Sequence, residues 1–512
     1  MKLSLLITIL VCFGNAVSGV LSGSYDIRAF GAAGDGMRYD TEAIQSAIDT
    51  AAGNGGGVVY FPPGRYLIKT IILKDSISLH IGRGATLLGS TEMQKPAFDQ
   101  NLFRDSSGQK FGNAFIIARD AVHIGITGEG IIDGQGYEKY YPKKEGISRP
   151  SLIRLIGCRF VNIENITLLN SAAWVQHYID CEDLRIKGIT VRSYSNKNND
   201  GLDIDGCERV WITGCNIDSE DDAIVLKSLG TRPCRDVVIS DCIISGLKSA
   251  IKTGTESLGG FENITVSNCT IYGTRGISLL NVDGGSLNNI TISNISMRDS
   301  YAVIVMRLGD RMRGYAVPEE KRPKKPGIFR NISIQNIQAT GVTESNDFIA
   351  GIPGHRITDV LLKDIRIEYA GGGSREDAER EIPELSSEYP KAKMFGSLPA
   401  YGFYIRHAQS VTLENIRIGF IETDFRSAIM CEDVEDLIIN DLLGSSAPEA
   451  APFIQFRDTR SADIRFARPL TPVDLFLSVT GESGDIRLIH NDLRHVTEVY
   501  HSDNQSAIKV VE

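Results

Sequence analysis

The chain has no excess of positive charge, and this argues against one class of partner. Its 512 residues include 54 Lys and Arg against 64 Asp and Glu, which gives a formal net charge of −10. Nucleic acids are bound through their phosphates, which need a basic footprint on the protein. We therefore expect no nucleic-acid partner. A local basic cleft can still bind an anionic sugar on an acidic protein, so the charge leaves that ligand class open.

The chain also lacks an apolar run long enough to span a bilayer. After Lys2 comes an apolar run of about ten residues, too short to cross a membrane, followed by the small residues Ala16, Ser18 and Gly19. This order is typical of a signal peptide. We expect residues 1–19 to be a signal peptide, the mature protein to be secreted or periplasmic, and no membrane insertion. A buried first strand is the alternative for this segment.

A six-residue pattern recurs ten times, with most copies 23 to 28 residues apart. The copies begin at residues 161, 184, 210, 237, 264, 290, 332, 360, 411 and 437. Positions one, three and six are apolar, and position five is Asn, Asp or Gly. Positions one and three share one strand face, and position five suits a left-handed turn. The pattern predicts an all-β fold, a single-stranded right-handed parallel β-helix, over residues 121–512.

Residues 20–120 are expected to add capping coils and one helix to the same continuous domain. Asp40 or Thr41 can cap a helix whose apolar face lies within residues 43–48, and a glycine-rich run at 53–57 ends it. A helix here would cover the open end of the solenoid, which otherwise exposes a sheet edge.

The cysteines follow the repeat. Cys215, Cys242 and Cys269 occupy position six of successive coils, and Cys158, Cys181, Cys207 and Cys234 each lie three residues before a repeat start. Equivalent positions of a solenoid stack at the strand spacing, and free cysteine behaves as a small apolar residue. We expect two internal stacks of free thiols rather than disulfides.

Residues 198–227 carry six aspartates in two short groups. The groups are Asp200, Asp203 and Asp205, and then Asp218, Asp221 and Asp222. Crowded carboxylates raise the pKa of at least one member, which can then act as a general acid while a neighbour stays ionised as a base. Solvated turn aspartates are the alternative.

The repeat register brings further polar residues to the same face. Asp203 and Asp205 alternate with apolar residues and should point outward, with His177 one coil earlier and Lys227 and Lys252 on the two following coils. These side chains should form a stripe across four coils. A stripe of carboxylates, lysine and histidine along a rod suits acid–base chemistry on a long sugar polymer.

Several motifs carry a family resemblance. They are Asn198-Asn199-Asp200, the pair Asp221-Asp222, the segment NSAAWVQH at 170–177, the opening stretches FGAAGDG and GGGVVYFPPGRY, and GATLLGS at 84–90. With these the chain resembles the polygalacturonase group, glycoside hydrolase family 28, over most of its length.

The resemblance implies hydrolysis by single displacement with inversion, without cofactor or metal. Carried over, Asp222 is the expected proton donor, and Asp200 and Asp221 the expected pair that activates water. Inversion needs roughly 6.5–9.5 Å between acid and base to admit that water. The segment with Trp174 and His177 is typical of exo-acting members. The residues expected to bind substrate are Trp174, His177, Asp203, Asp205, Lys227, Lys252 and Arg307.

Two family segments are missing. The family's Gly-His-Gly should fall where Lys248 and Ser249 stand, and its Arg-Ile-Lys where Leu279 and Asn281 stand. In polygalacturonases these cations hold the galacturonate carboxylate. Their absence predicts a different specificity, with poor activity on unsubstituted polygalacturonan.

Two repeats are stretched, and insertions in solenoids often lie on the binding face. One insertion follows the repeat at 290 and is basic, with Arg307 among its cations; the other follows the repeat at 360. A solvated loop is the alternative for the basic run. The insertions could wall one end of a groove, which favours attack at chain ends.

The sequence thus favours an inverting glycoside hydrolase that acts on a pectin-type or related acidic polysaccharide. A polysaccharide lyase is one alternative, with Lys252 as base and calcium held by the aspartates. A non-catalytic glycan-binding solenoid is the other.

Overall fold

The computed structural model describes residues 23–92, 112–144, 147–314, 317–344, 347–504 and 508–511. Within them, 39 strands join into one sheet whose strand pairs are parallel. The expected signal peptide, residues 1–19, lies outside the described residues, so export stays a prediction. In the described part of the chain, the search for a helix of membrane-crossing length and apolarity finds none.

The first twenty strands precede both insertions, and the acidic stretch lies among them. They are β1 (Gly23–Asp26), β2 (Asp35–Tyr39), β3 (Gly57–Phe61), β4 (Gly64–Ile68), β5 (Ile71–Ile72), β6 (Ile77–Ile81), β7 (Ala85–Gly89), β8 (Ala114–Arg119), β9 (Val122–Gly128), β10 (Ile131–Asp133), β11 (Ser151–Ile156), β12 (Arg159–Glu164), β13 (Thr167–Leu169), β14 (Gln176–Ile179), β15 (Glu182–Lys187), β16 (Thr190–Ser193), β17 (Leu202–Asp205), β18 (Glu208–Thr213), β19 (Asn216–Ser219) and β20 (Ile224–Ser228).

Several of the later strands are longer, because neighbouring strands of one coil run together without a break. They are β21 (Cys234–Ser240), β22 (Ile243–Gly246), β23 (Ile251–Ser257), β24 (Gly260–Tyr272), β25 (Ile277–Asn281), β26 (Ser286–Arg298), β27 (Ile304–Leu308), β28 (Ile328–Val342), β29 (Asp347–Ala350), β30 (Ile357–Gly371), β31 (Ala400–Glu422), β32 (Ser427–Gly444), β33 (Ile454–Arg457), β34 (Arg460–Arg465), β35 (Arg468–Pro469), β36 (Val473–Thr480), β37 (Gly484–Ile489), β38 (Val496–Ser502) and β39 (Ile508–Val511).

Each coil stacks on the next by pairing strands of equivalent position. The strands β11, β14, β17, β20, β23, β25 and β27 form one such column and make the face that carries the acidic stretch. A second column carries the six-residue repeat and consists of β12, β15, β18, β21, β24, β26, β28, β30, β31 and β32. The predicted parallel β-helix is therefore confirmed, and a core of buried aliphatic side chains runs along its inside.

Position five of the repeat adopts the left-handed backbone that the sequence predicted. In all ten copies this residue has a φ between 50° and 64°. Asn165, Gly188 and Asp241 are examples, and each turns the chain out of one strand and into the next. Asn, Asp and Gly tolerate this conformation at the lowest cost, which explains why the position accepts only those residues.

The N-terminal helix α1 (Thr41–Gly53) packs against strands of the first coils. Its buried side chains are Ile44, Ala47, Ile48 and Ala51, which extends the predicted apolar face by one turn. Asp40 precedes the helix but makes no side-chain cap. Its carboxylate instead accepts from the backbone N–H of Ala33 and Gly34, so it fixes the preceding loop.

The cysteines are free and buried, as predicted. The structure describes eight of the nine, and none of these eight is in a disulfide. The backbone N–H of Cys181 donates to Sγ of Cys207 at 3.3 Å, which shows how closely adjacent members of one stack approach. Cys431, which the repeat argument did not place, is also buried in the core.

The two insertions lie where the chain passes between the strand column of the acidic face and the column that carries the repeat. The first runs over residues 309–327 between β27 and β28 and contains a 3-10 turn, Glu319–Lys321; a second such turn, Ile27–Phe30, follows β1. The other runs over residues 372–399 between β30 and β31 and contains the short helix α2 (Arg375–Ala378). We call residues 372–399 the long insertion.

Candidate active site

The predicted stripe is present with the expected register. In the strand pairs, His177 lies opposite Asp203, and Asp205 lies opposite Lys227. Lys252 stands two coils beyond Asp203 in the same column. These five side chains point away from the core, yet all are buried, since each is no more than 6% exposed. The charged groups therefore interact in a poorly solvated layer, where electrostatic forces are strong.

Three carboxylates meet at the centre of this layer. Asp200, Asp221 and Asp222 each offer one oxygen, and these oxygens lie within 4.8 Å of one another. Asp200 precedes β17 and the pair precedes β20, and the N–H of Gly201 donates to the carbonyl of Asp222 at 2.9 Å to join the two turns. The parallel register thus brings Asp200 of the first aspartate group to the pair Asp221 and Asp222 of the second.

The oxygens are closer together than the separation of roughly 6.5–9.5 Å expected between acid and base in an inverting enzyme. Two oxygens up to about 5.4 Å apart can nevertheless accept hydrogen bonds of about 2.7 Å from one water. The cluster can therefore hold a water directly between two of its carboxylates. Three such oxygens could also hold a cation, so metal independence stays a prediction.

Asp222 is held as an anion. Lys252 Nζ lies 2.6 Å from its Oδ2, and the backbone N–H of Ser249 donates to Oδ1 at 2.8 Å. Burial alone would raise the pKa of Asp222, but the Lys252 ammonium and the Ser249 N–H hold it below its usual value. The lowered pKa disagrees with the expectation that Asp222 is the proton donor, because the ammonium and the N–H outweigh the crowding by the other carboxylates.

Asp221 and Asp200 have the opposite tendency. Burial, and next the charge of Asp222, raise the pKa of Asp221, although Lys252 and Lys248 oppose this. Burial and the neighbouring carboxylates raise the pKa of Asp200 well above its usual range. The cluster thus pairs one ionised carboxylate with two that retain protons more readily, which is what acid–base catalysis requires.

His177 is a neutral, fixed residue. Its Nδ1 lies 3.0 Å from Nη2 of Arg154, which can only donate, so Nδ1 accepts and Nε2–H donates to Asp205 Oδ2 at 3.2 Å. Burial, then the charges of Arg154 and Lys227, hold the pKa of His177 well below its usual value. Its ring meets that of Trp174 edge-on at 4.9 Å. His177 therefore positions its neighbours.

Lys227 joins the stripe to a residue that the motifs did not indicate. Its Nζ lies 3.2 Å from Glu256 Oε2, 3.5 Å from Asp203 Oδ1 and 4.5 Å from the centre of the Trp174 ring. Burial raises the pKa of Asp203 to about 7, although Lys227 opposes the shift. Arg154 was missed as well; it lies directly opposite His177 in the strand register, so the repeat spacing could have found it.

Arg307 has a different role from the one expected. It lies on strand β27 rather than in a loop, and is 1% exposed. Its guanidinium donates to the carbonyls of Gly351 at 2.8 Å and Glu384 at 2.6 Å. The expectation that Arg307 contacts substrate is wrong for this structure, because its buried donors hold the long insertion in place.

The positions of the missing family cations are occupied mostly by residues without charge. Leu279 packs in the core, and the Asn281 amide donates to the carbonyls of Gly285 and Ile328. Ser249 contributes its backbone N–H to Asp222. Lys248 is half-buried and close enough for its charge to lower the pKa of Asp221. Of these four positions, only that of Lys248 therefore holds a cation.

The fold and the site together define a polysaccharide-hydrolase type of β-helix, with clustered carboxylates on a parallel strand face. The family model described as glycosyl hydrolases family 28 matches residues 59–387. The chain belongs to this family and is a glycoside hydrolase, as the motifs predicted.

Curated relatives are similar in sequence to this chain over about two thirds of its length. A probable polygalacturonase from Vitis vinifera is 27% identical over 67% of this chain and 73% of its own. An exopolygalacturonase from Zea mays is 26% identical over 69% and 85%, respectively. Endo-polygalacturonase from Pectobacterium carotovorum subsp. carotovorum is 25% identical over 65% and 86%.

Solved structures share the fold. The hyperthermoactive exopolygalacturonase from Thermotoga maritima superposes with a TM-score of 0.62 at 22% identity, over 77% of this chain and 91% of that one. The family 28 exopolygalacturonase of Yersinia enterocolitica gives a TM-score of 0.59 at 19% identity, over 87% and 79%. At these identities the likeness establishes the right-handed β-helix alone.

Proposed function

We propose that this glycoside hydrolase removes terminal sugars from pectin-type or related acidic polysaccharides, with inversion at the anomeric carbon. The observation that carries the proposal is the cluster of Asp200, Asp221 and Asp222, whose oxygens lie within 4.8 Å and whose pKa values shift in opposite directions. Relatives named exopolygalacturonase and endo-polygalacturonase support a uronate-containing substrate.

Asp221 is the proposed proton donor, in place of Asp222. Its raised pKa keeps the proton available, and it is the more exposed member of the pair. Asp221 gives its proton to the glycosidic oxygen as the bond to the anomeric carbon breaks. A water held by Asp222 and Asp200 attacks that carbon from the other side and gives up a proton to Asp222. The products are a free sugar and a shortened chain with a new hydroxyl.

Attack at chain ends is supported by the long insertion. Arg307 and Arg406 are both buried, and both donate to backbone carbonyls of this segment, at Glu384 and Ile382. A segment anchored in this way is a fixed wall beside the acidic face. A polymer that cannot run past a wall can enter the site only with its end.

The elimination chemistry of a lyase is disfavoured at Lys252. A lyase base must be free of its proton at the working pH. Burial would lower the pKa of Lys252, but the carboxylate of Asp222 raises it above its usual value. Lys252 is therefore a charged partner of Asp222.

The test is digestion of acidic plant oligosaccharides of defined length, followed by mass spectrometry and early proton NMR. We expect single sugars released from one end, with the anomeric configuration inverted and no unsaturated product. A retained configuration would contradict the mechanism, and absorbance from a new double bond would contradict hydrolysis.

A further inference from the structure

The long insertion brings one aromatic side chain to the carboxylate cluster. Residues 382–386 are fixed to the solenoid, because Arg307 and Arg406 hold their carbonyls and the N–H of Asp310 donates to the carbonyl of Ser386 at 2.9 Å. Tyr389 follows three residues later. Its position is therefore set by the anchored part of the insertion.

Tyr389 makes contact with strand β23, which carries Lys252. The hydroxyl of Thr255 donates to the phenol oxygen of Tyr389 at 2.9 Å. The centre of the ring lies 6.0 Å from Lys252 Nζ and 6.0 Å from Cζ of Arg311. Lys252 in turn pairs with Asp222, so only the Lys252 side chain links the ring to the carboxylate cluster.

The ring of Tyr389 is half exposed beside buried charged groups. Tyr389 is 46% exposed, whereas Lys252 and Arg311 beside it are buried. A half-exposed aromatic ring with a polar tip offers a flat apolar surface, of the kind that the C–H face of a sugar ring fits. An exposed aromatic next to a buried catalytic cluster is not explained by core packing.

Arg311 adds a donor to the same place. Its Nε and Nη2 pair with the carboxylate of Asp283, and Nη2 also donates to the carbonyl of Thr255 at 3.3 Å. Nη1 is buried and has no hydrogen-bond partner among the described residues. A buried unsatisfied N–H is costly, so an oxygen of a bound ligand would relieve it.

We propose that Tyr389 is a specificity-determining residue, which stacks on the terminal sugar of the substrate and positions it against Asp221 and Asp222. The ligand is a pyranose bearing oxygen acceptors, a hydroxyl or a uronate carboxylate, that reach toward Arg311. This proposal rests on the proposed attack at chain ends. It assigns to Tyr389 a positioning role and no part in proton transfer.

The variants are Tyr389→Ala, which removes the ring, and Tyr389→Phe, which keeps the ring and removes the phenol oxygen. The matched control is Tyr39→Ala on strand β2. Tyr39 is 42% exposed, its hydroxyl lies 3.0 Å from Ser90 Oγ, and Lys69 Nζ lies 4.5 Å from its ring centre. It therefore repeats the surroundings of Tyr389 in the first coils.

With short acidic oligosaccharides we expect Tyr389→Ala to raise KM about tenfold, with a smaller change in kcat, because a stacking contact that is present in both ground and transition state is lost. Tyr389→Phe should stay within about threefold of wild type. With longer chains, Tyr389→Ala should also release products larger than one sugar. Thermal melting of all variants should match that of the control.

A Tyr389→Ala enzyme with the KM and product sizes of the Tyr39→Ala control would overturn the proposal. Titration calorimetry on Asp221→Asn, with and without Tyr389→Ala, uses the shortest acidic oligosaccharide that wild type cleaves and gives a reading that needs no turnover. Equal affinities there would also overturn it. A further outcome is that wild type cuts chains internally while Tyr389→Ala still weakens binding. That result would contradict the proposed attack at chain ends and support the proposed contact between Tyr389 and the sugar.

Discussion

Nζ of Lys252 lies 2.6 Å from Oδ2 of Asp222, with both side chains buried. The two residues come from adjacent coils, and the pair decides which carboxylate of the cluster is ionised. An opposite charge at this distance favours the anion, so the pKa of Asp222 is lowered, while burial and the charge of Asp222 raise the pKa of Asp221, one residue earlier.

Removing the ammonium group should therefore change the pH dependence. In Lys252→Met the pKa of Asp222 rises, so the base is protonated at pH values where wild type is active. We expect the acidic limb of the pH profile of kcat/KM to move up by about 1–3 units. Lys363→Met is the control, since Lys363 is paired with Glu414 at 2.8 Å on the surface. An unmoved acidic limb in Lys252→Met would show that Asp222 is not the base.

Substitution of the two adjacent aspartates should separate acid from base. Asp221→Asn and Asp222→Asn should each lower kcat on a natural glycan at least about a hundredfold. An aryl glycoside with a good leaving group needs little protonation, so it should restore much of the rate of Asp221→Asn and little of that of Asp222→Asn. Rescue of Asp222→Asn instead would return the acid role to that residue. Asp218→Asn, in the same coil, is the control.

Arg307 should behave as an anchor of the long insertion. Arg307→Met leaves the carbonyls of Gly351 and Glu384 without a donor, which should lower the free energy of unfolding by about 1–3 kcal/mol. A loosened wall should also let the enzyme cut within chains, seen as a faster fall in viscosity for each new reducing end. A raised KM with unchanged stability and product sizes would instead indicate a substrate contact.

The cysteine stacks should be structural. Cys242→Ser places a hydroxyl in an apolar column and should cost about 1–3 kcal/mol of stability, with little effect on kcat. Denaturant unfolding followed by fluorescence measures the first, and the oligosaccharide assay the second. Thiol counting on the denatured, unreduced protein should find the eight described cysteines free, and paired thiols would contradict the stacks.

The substitutions at the family's cation positions should appear in the substrate range. Leu279 and Asn281 cannot hold a carboxylate, because one lies in the core and the other bonds to backbone carbonyls. We expect low activity on unsubstituted polygalacturonan and higher activity on branched or mixed acidic glycans, compared at equal concentrations of chain ends. Rapid mid-chain cleavage of polygalacturonan, with a steep loss of viscosity, would contradict this expectation.

The repeat was enough to establish the β-helix and the register of its main face. A left-handed residue at position five and two apolar residues on one strand face recur in each coil, so the coil has one way to close. Once the register is set, the positions of Asp203 and Lys252 align along the strand column, and so do those of Asp205 and Lys227, as the structure shows. Periodicity determines this because it fixes strand spacing and the side on which each side chain lies.

The tertiary structure decided the properties that depend on ångström distances and on aperiodic segments. Which aspartate is ionised depends on a 2.6 Å contact with Lys252, and the sequence places that residue only to within a strand spacing. The anchoring of the long insertion by Arg307, and the delivery of Tyr389 to Thr255, follow no repeat. A pattern along the chain cannot specify these contacts, because they form between side chains and loops that only the folded solenoid brings together.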